Sequence, residues 1–389
     1  MEKIGYQLKD NNLEIFLKGR IDSSNASQFE EMLNEITEGK ENCHVIFDAT
    51  HLEYLSSAGL RVILKMIKKL KDMEIINVSM DVYEIFDMTG FTELTKIRKA
   101  FRRFDVTGCK VIGEGAKGIV YRYNNDTIIK VYKNNDVLSL IQKERELAKK
   151  AFILGIPTAI SYDVVLVGDQ YGSVFELLDC DSMTNAICNN PENLKSYAKI
   201  FSDLSKLIHS TYVKDISDMN DIMNTLYKWL NNAKQYLGNS YDKLKDMVDN
   251  IPKTQNMIHG DFHTKNIMMQ NDEVLLIDMD TLAYGNRIEE LAVIDFSYSS
   301  MNDVCENNSL DFLGIDKKTA KEFYNEFIKN YFEGLDNDKL QRNLNKIRLL
   351  AYLRIANHIS RGKADLSKVD MVVSEINRLL GIIDNLILE

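Results

Sequence analysis

The residues best suited to chemistry fall in one stretch, MIHGDFHTKNIMMQNDEVLLIDMD, from Met257 to Asp280. Moving a phosphoryl group needs a carboxylate to orient the acceptor hydroxyl and hard cations to neutralise the phosphate oxygens. Asp261 suits the first task, as catalytic base. Asn266 and Asp278 suit the second, because Mg2+ prefers oxygen donors. EVLLIDMD reads as a strand that delivers Asp278 at its end, and Asp280 follows either as an assistant or as a solvated loop acid. His259 suits packing and hydrogen bonding; no role is evident for His263.

Upstream, Gly113, Gly115 and Gly118 form a GxGxxG pattern. A dinucleotide-binding turn uses the same spacing but must open a helix, whereas here IVYRY continues as a strand. A strand–turn–strand glycine loop suits covering nucleotide phosphates with backbone N–H groups. Lys130, in IIKVY on the next strand, is placed to reach the α- and β-phosphates of ATP. Glu144, in the helix LIQKERELAKK, is placed to pair with Lys130, with Glu146 as the alternative.

These residues need two lobes to position them. CKVIGEGAKGIVYRYNNDTIIKVYK reads as strand, glycine turn, strand, tight turn and strand, an antiparallel meander. A helix over about 136–153 and strands around AISYDVVLVG and GSVFELLD follow. From about 190 onward the pattern is helical, ending in segments over about 338–361 and 366–387. Residues before about 100 differ. LEIFLKG alternates, and Phe29, Leu33 and Ile36 recur at helical spacing. HVIFDA reads as a buried strand, and Leu60, Ile63, Leu64, Ile67 and Leu70 stripe a second helix. EIINVS and VYEIFDMTG add a strand and a short helix stopped by Gly90. Strands alternating with helices imply an α/β sheet with helices packed against it.

The chain of 389 residues is long enough for two or three compact units. No run approaches the roughly 20 apolar residues of a membrane helix. MEKIGYQLKD has no apolar core of a secretory signal. Five scattered cysteines without CxxC spacing favour a reducing, cytoplasmic setting over a disulfide framework or a zinc site. The net charge of −10 disfavours nucleic acid as a partner. The basic cluster KIRKAFRRF, Lys96 to Phe104, reads as a solvated connecting segment.

Residues from about 107 to 389 resemble the protein-kinase-like superfamily, and within it the aminoglycoside phosphotransferase and choline kinase branch. HGDFHTKN is similar to that branch's HGDxxxxN loop and LIDMD to its metal-binding aspartate segment. Protein kinases generally carry Arg where Gly260 stands. The resemblance implies a bilobal α+β kinase-like fold, with an N-lobe over 105–179 and a C-lobe over 180–389. It also implies ATP and Mg2+ as cofactors and a small-molecule hydroxyl as acceptor. VFELLD becomes the hinge, offering the backbone of Glu176 and Leu178 to adenine. Glu290 stands where relatives carry Asp before Leu-Ala. The segment over about 210–255, with Trp229, is the expected substrate-side insertion, its aromatics read as helix packing.

Residues 1–104 resemble the STAS fold of anti-sigma factor antagonists through LKGRIDSSNA, HVIFDATHLEYLSSAGLRVIL and IFDMTGF. The resemblance places the family's phosphorylated serine at Ser57, with Ser56 where Asp is usual, Ala58 where Ser or Thr is common, and Asp22 as a nearby acid. A phosphate there would meet the unpaired N–H groups of a helix start. The other reading has Ser56 or Ser57 capping that helix. The leading expectation is a phosphotransferase fused to a regulatory STAS domain with a protein partner. The alternatives are a kinase acting on Ser57 in cis or trans, and a nucleotide-sensing scaffold for an anti-sigma-type partner.

Overall fold

The computed structural model describes residues 4–115, 117–134, 137–177, 180–270 and 273–389. The chain divides into two compact units, Met1–Asp105 with Val165–Asp169, and Val106–Val164 with Gln170–Glu389. Each has its own apolar core.

The first unit is a five-stranded sheet in the order β1 (Gly5–Lys9), β2 (Asn12–Ile21), β3 (His44–Leu55), β4 (Asp72–Val78) and β5 (Lys96–Lys99). β1 pairs antiparallel with β2, and the remaining pairs are parallel. Parallel neighbours need crossovers, supplied by α1 (Ala26–Thr37), α2 (Ser57–Lys69) and α3 (Met80–Met88). Leu13, Ile15 and Leu17 alternate inward with Val45, Phe47 and Ala49, and Phe29, Leu33, Val62, Ile63, Met66 and Phe86 cover them. Alternation of that kind buries one face of each strand, so the periodicity and the packing agree. β3 runs further than HVIFDA suggests, delivering Ser56 to the start of α2. The basic cluster is not a solvated connector. Lys96–Lys99 pairs with β4, the Arg98 guanidinium meets Glu74 at 2.6 Å, and Lys99 lies over Tyr83. Charges on both faces of a short edge strand hid its pairing from hydropathy. Arg103–Phe104 (β6) pairs in parallel with Leu166–Val167 of β10 (Asp163–Val167).

The second unit is bilobal. β7 (Lys110–Glu114), β8 (Gly118–Arg122), β9 (Thr127–Tyr132) and β11 (Gln170–Glu176) form the antiparallel meander, with α4 (Leu138–Ile153) beside it. The larger lobe begins with β12 (Asp181–Ser182), α5 (Met183–Asn189) and α6 (Leu194–Ser210). β13 (Asn220–Asp221), α7 (Ile222–Leu237) and α8 (Ser240–Asp249) follow. Short strands carry the chemistry-bearing loops: β14 (Met257–Ile258), β15 (Ile267–Gln270), β16 (Glu273–Leu276) and β17 (Ala283–Tyr284). α9 (Ile288–Asp295), α10 (Met301–Val304), α11 (Asn308–Leu313), α12 (Lys317–Tyr331), α13 (Asn337–Ser360) and α14 (Val369–Leu380) complete it. Phe201 on α6 is the hub: the rings of Phe262, Phe323, Phe327 and Tyr298 surround it at 4.5–6.0 Å. Trp229 is buried, with the Arg354 guanidinium 5.2 Å from its ring, so it packs as expected. Among the described residues no helix is long and apolar enough to cross a membrane.

His358 on α13 lies against Phe296, ring centroids 4.9 Å apart. Burial, helped by the nearby Arg354, Lys363 and Arg361 charges, pushes its imidazole down to about 4. Buried His259 is lowered as well, first by desolvation. The unfolded chain takes up these protons near pH 6.5 and the fold does not, so this stability is present above 6.5 and is lost as pH falls toward 4. The urea midpoint of the second unit's unfolding should therefore drop between pH 7.5 and 5.5, and drop less in His358→Asn. Equal pH slopes in the two proteins would remove His358 from the account.

Candidate active site

Between the lobes lies a cleft of about 810 Å³, walled by Gly113, Gly115, Lys117, Gly118, Lys130, Glu144, Glu176, Asn266 and Asp278, among others. The fold thus brings most of the sequence-predicted residues onto one surface. Leu178, the other expected hinge residue, lies outside the described residues. A hollow of about 950 Å³ beside the C-terminal half of α4 is larger but is lined by surface lysines and Glu146. Glu146 therefore sits away from Lys130.

The upper wall follows from strand pairing. β7 and β8 form a hairpin in which Gly115 N–H donates to the Gly118 carbonyl at 3.0 Å. A Cβ on Gly118 would stand 2.3 Å from the Val131 carbonyl oxygen, so packing demands glycine there. At Gly113 and Gly115 a Cβ would meet nothing closer than 3.7 Å, so the fold itself leaves space above the cleft. Lys130 points inward from β9, its ammonium 3.6 Å from the Glu144 carboxylate on α4 and 3.9 Å from Asp278. Burial raises Glu144, while Lys130 opposes that shift. The Glu176 carboxylate accepts from the Tyr162 hydroxyl at 3.0 Å.

The lower wall is the His259–Asn266 loop, anchored at alternate residues. Thr281 Oγ1 donates to the His259 carbonyl at 2.8 Å, and Phe262 inserts beside Phe201. Thr264 N–H donates to the Tyr298 hydroxyl at 2.9 Å, and that hydroxyl donates to Thr264 Oγ1. Gly260 has φ +83°, and a Cβ would lie 2.6 Å from the Thr281 carbonyl oxygen. That close approach excludes a larger residue where protein kinases carry Arg. Gly260 N–H donates to Glu290 Oε1 at 2.6 Å, while Glu290 Oε2 meets His209 Nε2 at 2.8 Å. His209 Nδ1 in turn meets the Tyr331 hydroxyl at 2.7 Å. The sequence left Glu290 without a structural role; it is the buried anchor of this loop.

Asp261 is left 37% exposed between these anchors. It stands outside the walls of the 810 Å³ cleft but is tied to them, since Asn266 Nδ2 donates to its carbonyl at 3.0 Å. Burial works against its charge, but His263, whose Nε2 lies 3.4 Å from Asp261 Oδ2, and the Arg354 charge hold it below the usual carboxylate range. His263 thus acquires a place the sequence did not give it. Asp278 ends the β16 segment in the left-handed region, φ 62° and ψ 60°, unusual for a side chain with a Cβ. Its carboxylate is met by Lys117 Nζ at 2.9 and 3.1 Å, and the same ammonium reaches Asp280 Oδ2 at 2.6 Å. Asp280 Oδ1 is buried without a partner among the described residues. Lys117 was missed although it lies inside the glycine motif; a cation between two loop glycines was the available signal.

The donor set fits a hard divalent cation. With its nitrogen engaged, Asn266 has its amide oxygen available, and Asp278 and Asp280 add carboxylates, one with an unpartnered oxygen. Among the described residues no group of three or more His, Cys, Asp or Glu side chains forms a closed cage.

The model of the Phosphotransferase enzyme family matches residues 108–309, just over half of the chain, and that of the STAS domain matches residues 3–103. The chain therefore belongs to the phosphotransferase enzyme family and carries an N-terminal STAS domain. Over 90 residues it is 33% identical to the "Putative anti-sigma factor antagonist BtrV" of Bordetella bronchiseptica, covering 22% of this chain and 76% of that protein. Over 92 residues it is 27% identical to the "Anti-sigma-B factor antagonist" of Listeria monocytogenes, covering 23% and 80%. Similar solved structures include amicoumacin kinase hAmiN with AMP-PNP, Ca2+ and Ami, at 14% identity and TM-score 0.47, covering 76% of this chain and 93% of that one. Another is a thermostable aminoglycoside phosphotransferase APH(4)-Ia mutant with ADP and hygromycin B, at 11% identity and TM-score 0.49, covering 71% and 94%.

Removing the Glu290 carboxylate would orphan Gly260 N–H and the buried Nε2 of His209. Glu290→Ala is expected to lower stability by about 3 kcal/mol, the cost of breaking a buried pair, measured by urea denaturation. Glu290→Gln keeps an acceptor for Gly260 and should lose less. Equal losses would show that the carboxylate charge, and not side-chain volume or an acceptor for Gly260, is what matters there.

Proposed function

We propose that the chain is a cytoplasmic phosphotransferase that uses ATP and Mg2+ to phosphorylate a hydroxyl on a small molecule. A STAS module over 1–104 precedes the kinase module over 105–389 and serves as a regulatory, protein-binding element. The observation that carries this reading is the convergence of Lys130, Glu144, Asn266 and Asp278 on one cleft beneath the glycine loop, with Asp261 just beyond it. The loop at Gly113, Gly115 and Gly118 covers the phosphates, and the space left beside Gly113 and Gly115 admits them. Lys130, held by Glu144, pairs with the α- and β-phosphates. The backbone of Glu176, at the cleft wall, accepts adenine at the expected hinge. Asn266 and Asp278 hold Mg2+, which when bound neutralises charge on the phosphate oxygens. Asp261 accepts a hydrogen bond from the acceptor hydroxyl, aims its oxygen along the line of attack and takes its proton. A small acceptor is supported by the short path from Asp280 through Ala283–Tyr284 to α9, which leaves no long segment to seat a peptide.

A second acceptor is supported by one local detail. Ser56 is the N-cap of α2, its Oγ accepting from Gly59 N–H at 3.3 Å, so capping occupies Ser56 and leaves the exposed Ser57 hydroxyl uncommitted. Phosphate at Ser57 would meet the N-terminal end of α2.

Asp261→Asn should lower kcat by about 10³, within the range for a general base, while ATP affinity measured by calorimetry stays within a few-fold. Because Asp261 is held below its ordinary value of 3.8, wild-type kcat should stay flat from pH 8 down to 5. Undiminished turnover in Asp261→Asn would sink the mechanism. ATP-Mg2+ binding without turnover on any acceptor would instead favour a nucleotide-sensing scaffold for an anti-sigma-type partner. Peptide mass spectrometry after phosphatase treatment and incubation with ATP-Mg2+ tests Ser57. One phosphate there, absent in Asp261→Asn, would make the chain its own substrate; an unmodified Ser57 would leave the small-molecule hydroxyl as the acceptor.

A further inference from the structure

Lys117 belongs to the glycine loop by sequence and to the metal-binding corner by contact. Its backbone is fixed, since Lys133 N–H donates to the Lys117 carbonyl at 3.1 Å and Gly115 and Gly118 close the turn around it. Its side chain reaches across the cleft to residues 161 and 163 positions away in sequence. An ammonium has three protons to donate, and this one meets three oxygens, both of Asp278 and one of Asp280, at 2.6–3.1 Å. Lys130 is the next cation, 3.9 Å from Asp278 but shared with Glu144.

Those oxygens are the ones a divalent cation would need. Mg2+ sits about 2.1 Å from its ligands, so an ammonium within hydrogen-bond distance of both Asp278 oxygens and a metal ion on the same carboxylate exclude each other by size and charge. The loop that holds Lys117 is also the one placed over the phosphates. With the Lys117 carbonyl held, rotation about the flexible four-carbon side chain carries the ammonium from one set of anions to the other without moving the hairpin.

We propose that Lys117 is the internal counter-ion of Asp278 and Asp280, and that it exchanges onto the terminal phosphates of the nucleotide when metal takes its place. The inference rests on the reading of Asp278 as a metal ligand. Lys117 is a positioning residue in this scheme: it makes metal binding conditional on nucleotide. A phosphate chain gives the displaced ammonium new anions, so nucleotide and metal each strengthen the other's binding.

The test uses the full chain and Mn2+ as the probe, with free Mn2+ followed by electron paramagnetic resonance, with and without AMP-PNP. Wild type should bind Mn2+ weakly alone. Lys117→Met should bind Mn2+ alone about tenfold more tightly and bind metal-free AMP-PNP about tenfold more weakly. Lys117→Arg, which keeps the charge, should resemble wild type in both and guards against a general folding defect. Unchanged or weaker Mn2+ binding in Lys117→Met overturns the proposal, as does unchanged affinity for metal-free AMP-PNP. Asp278→Asn separates the two readings. If it leaves Mn2+ binding in the AMP-PNP complex intact, Asp278 is not a metal ligand; if it abolishes that binding while Lys117→Met has no effect, only the role of Lys117 fails.

Discussion

A carboxylate with no solvent exposure sits beneath the loop that carries Asp261. Inside the larger lobe Gly260 N–H and His209 satisfy the two oxygens of Glu290, and His209 is itself braced by Tyr331. An unpaired buried carboxylate would cost far more than any surface contact returns. The pairing therefore fixes α9 to the loop and α6 to both. Gly260 can approach Thr281 only because it lacks a Cβ, and its left-handed backbone turns the next residue, Asp261, outward. Phe262 then turns back into the Phe201 cluster. Anchors on either side, at Gly260 and Phe262, hold a half-exposed acid in one place without burying it.

The cleft above follows a different principle. Lys117 and Lys130 face Glu144, Asp278 and Asp280 within a few ångströms, so the corner carries more negative than positive side chains. Such a corner suits an added cation. Burial alone would push Glu144 toward its neutral form, and Lys130 opposes that. The result is a site whose groups are mutually dependent, in which moving one ammonium changes the charge seen by three carboxylates.

The STAS unit stands on a separate core and uses helix-terminus physics. Ser56 N–H donates to the Ile21 carbonyl at 2.9 Å, which brings the start of α2 beside the end of β2 and places Asp22 nearby. Capping needs one hydroxyl, and the geometry gives that task to Ser56. The departure from the usual Asp at position 56 is thereby accommodated, since a serine oxygen caps a helix as well as a carboxylate does.

Much of this was legible in the sequence. The alternation of strand and helix over the first hundred residues, the antiparallel meander around the glycines, and the helical remainder all follow from side-chain periodicity, which is local. The types and spacing of Asp261, Asn266 and Asp278 announced phosphoryl chemistry because few other reactions need that set. What the sequence could not show are relations between residues far apart in the chain. Glu290 meets Gly260 across 30 residues, His209 meets Glu290 across 81, and Lys117 meets Asp278 across 161. Hydropathy likewise misread Lys96–Lys99, because an edge strand held by backbone hydrogen bonds needs only Ile97 against the core. Sequence by itself determined which elements form and which residue types are suited to the chemistry. Only the tertiary structure decided which charges face one another, because that depends on how lobes and loops pack and not on any local period.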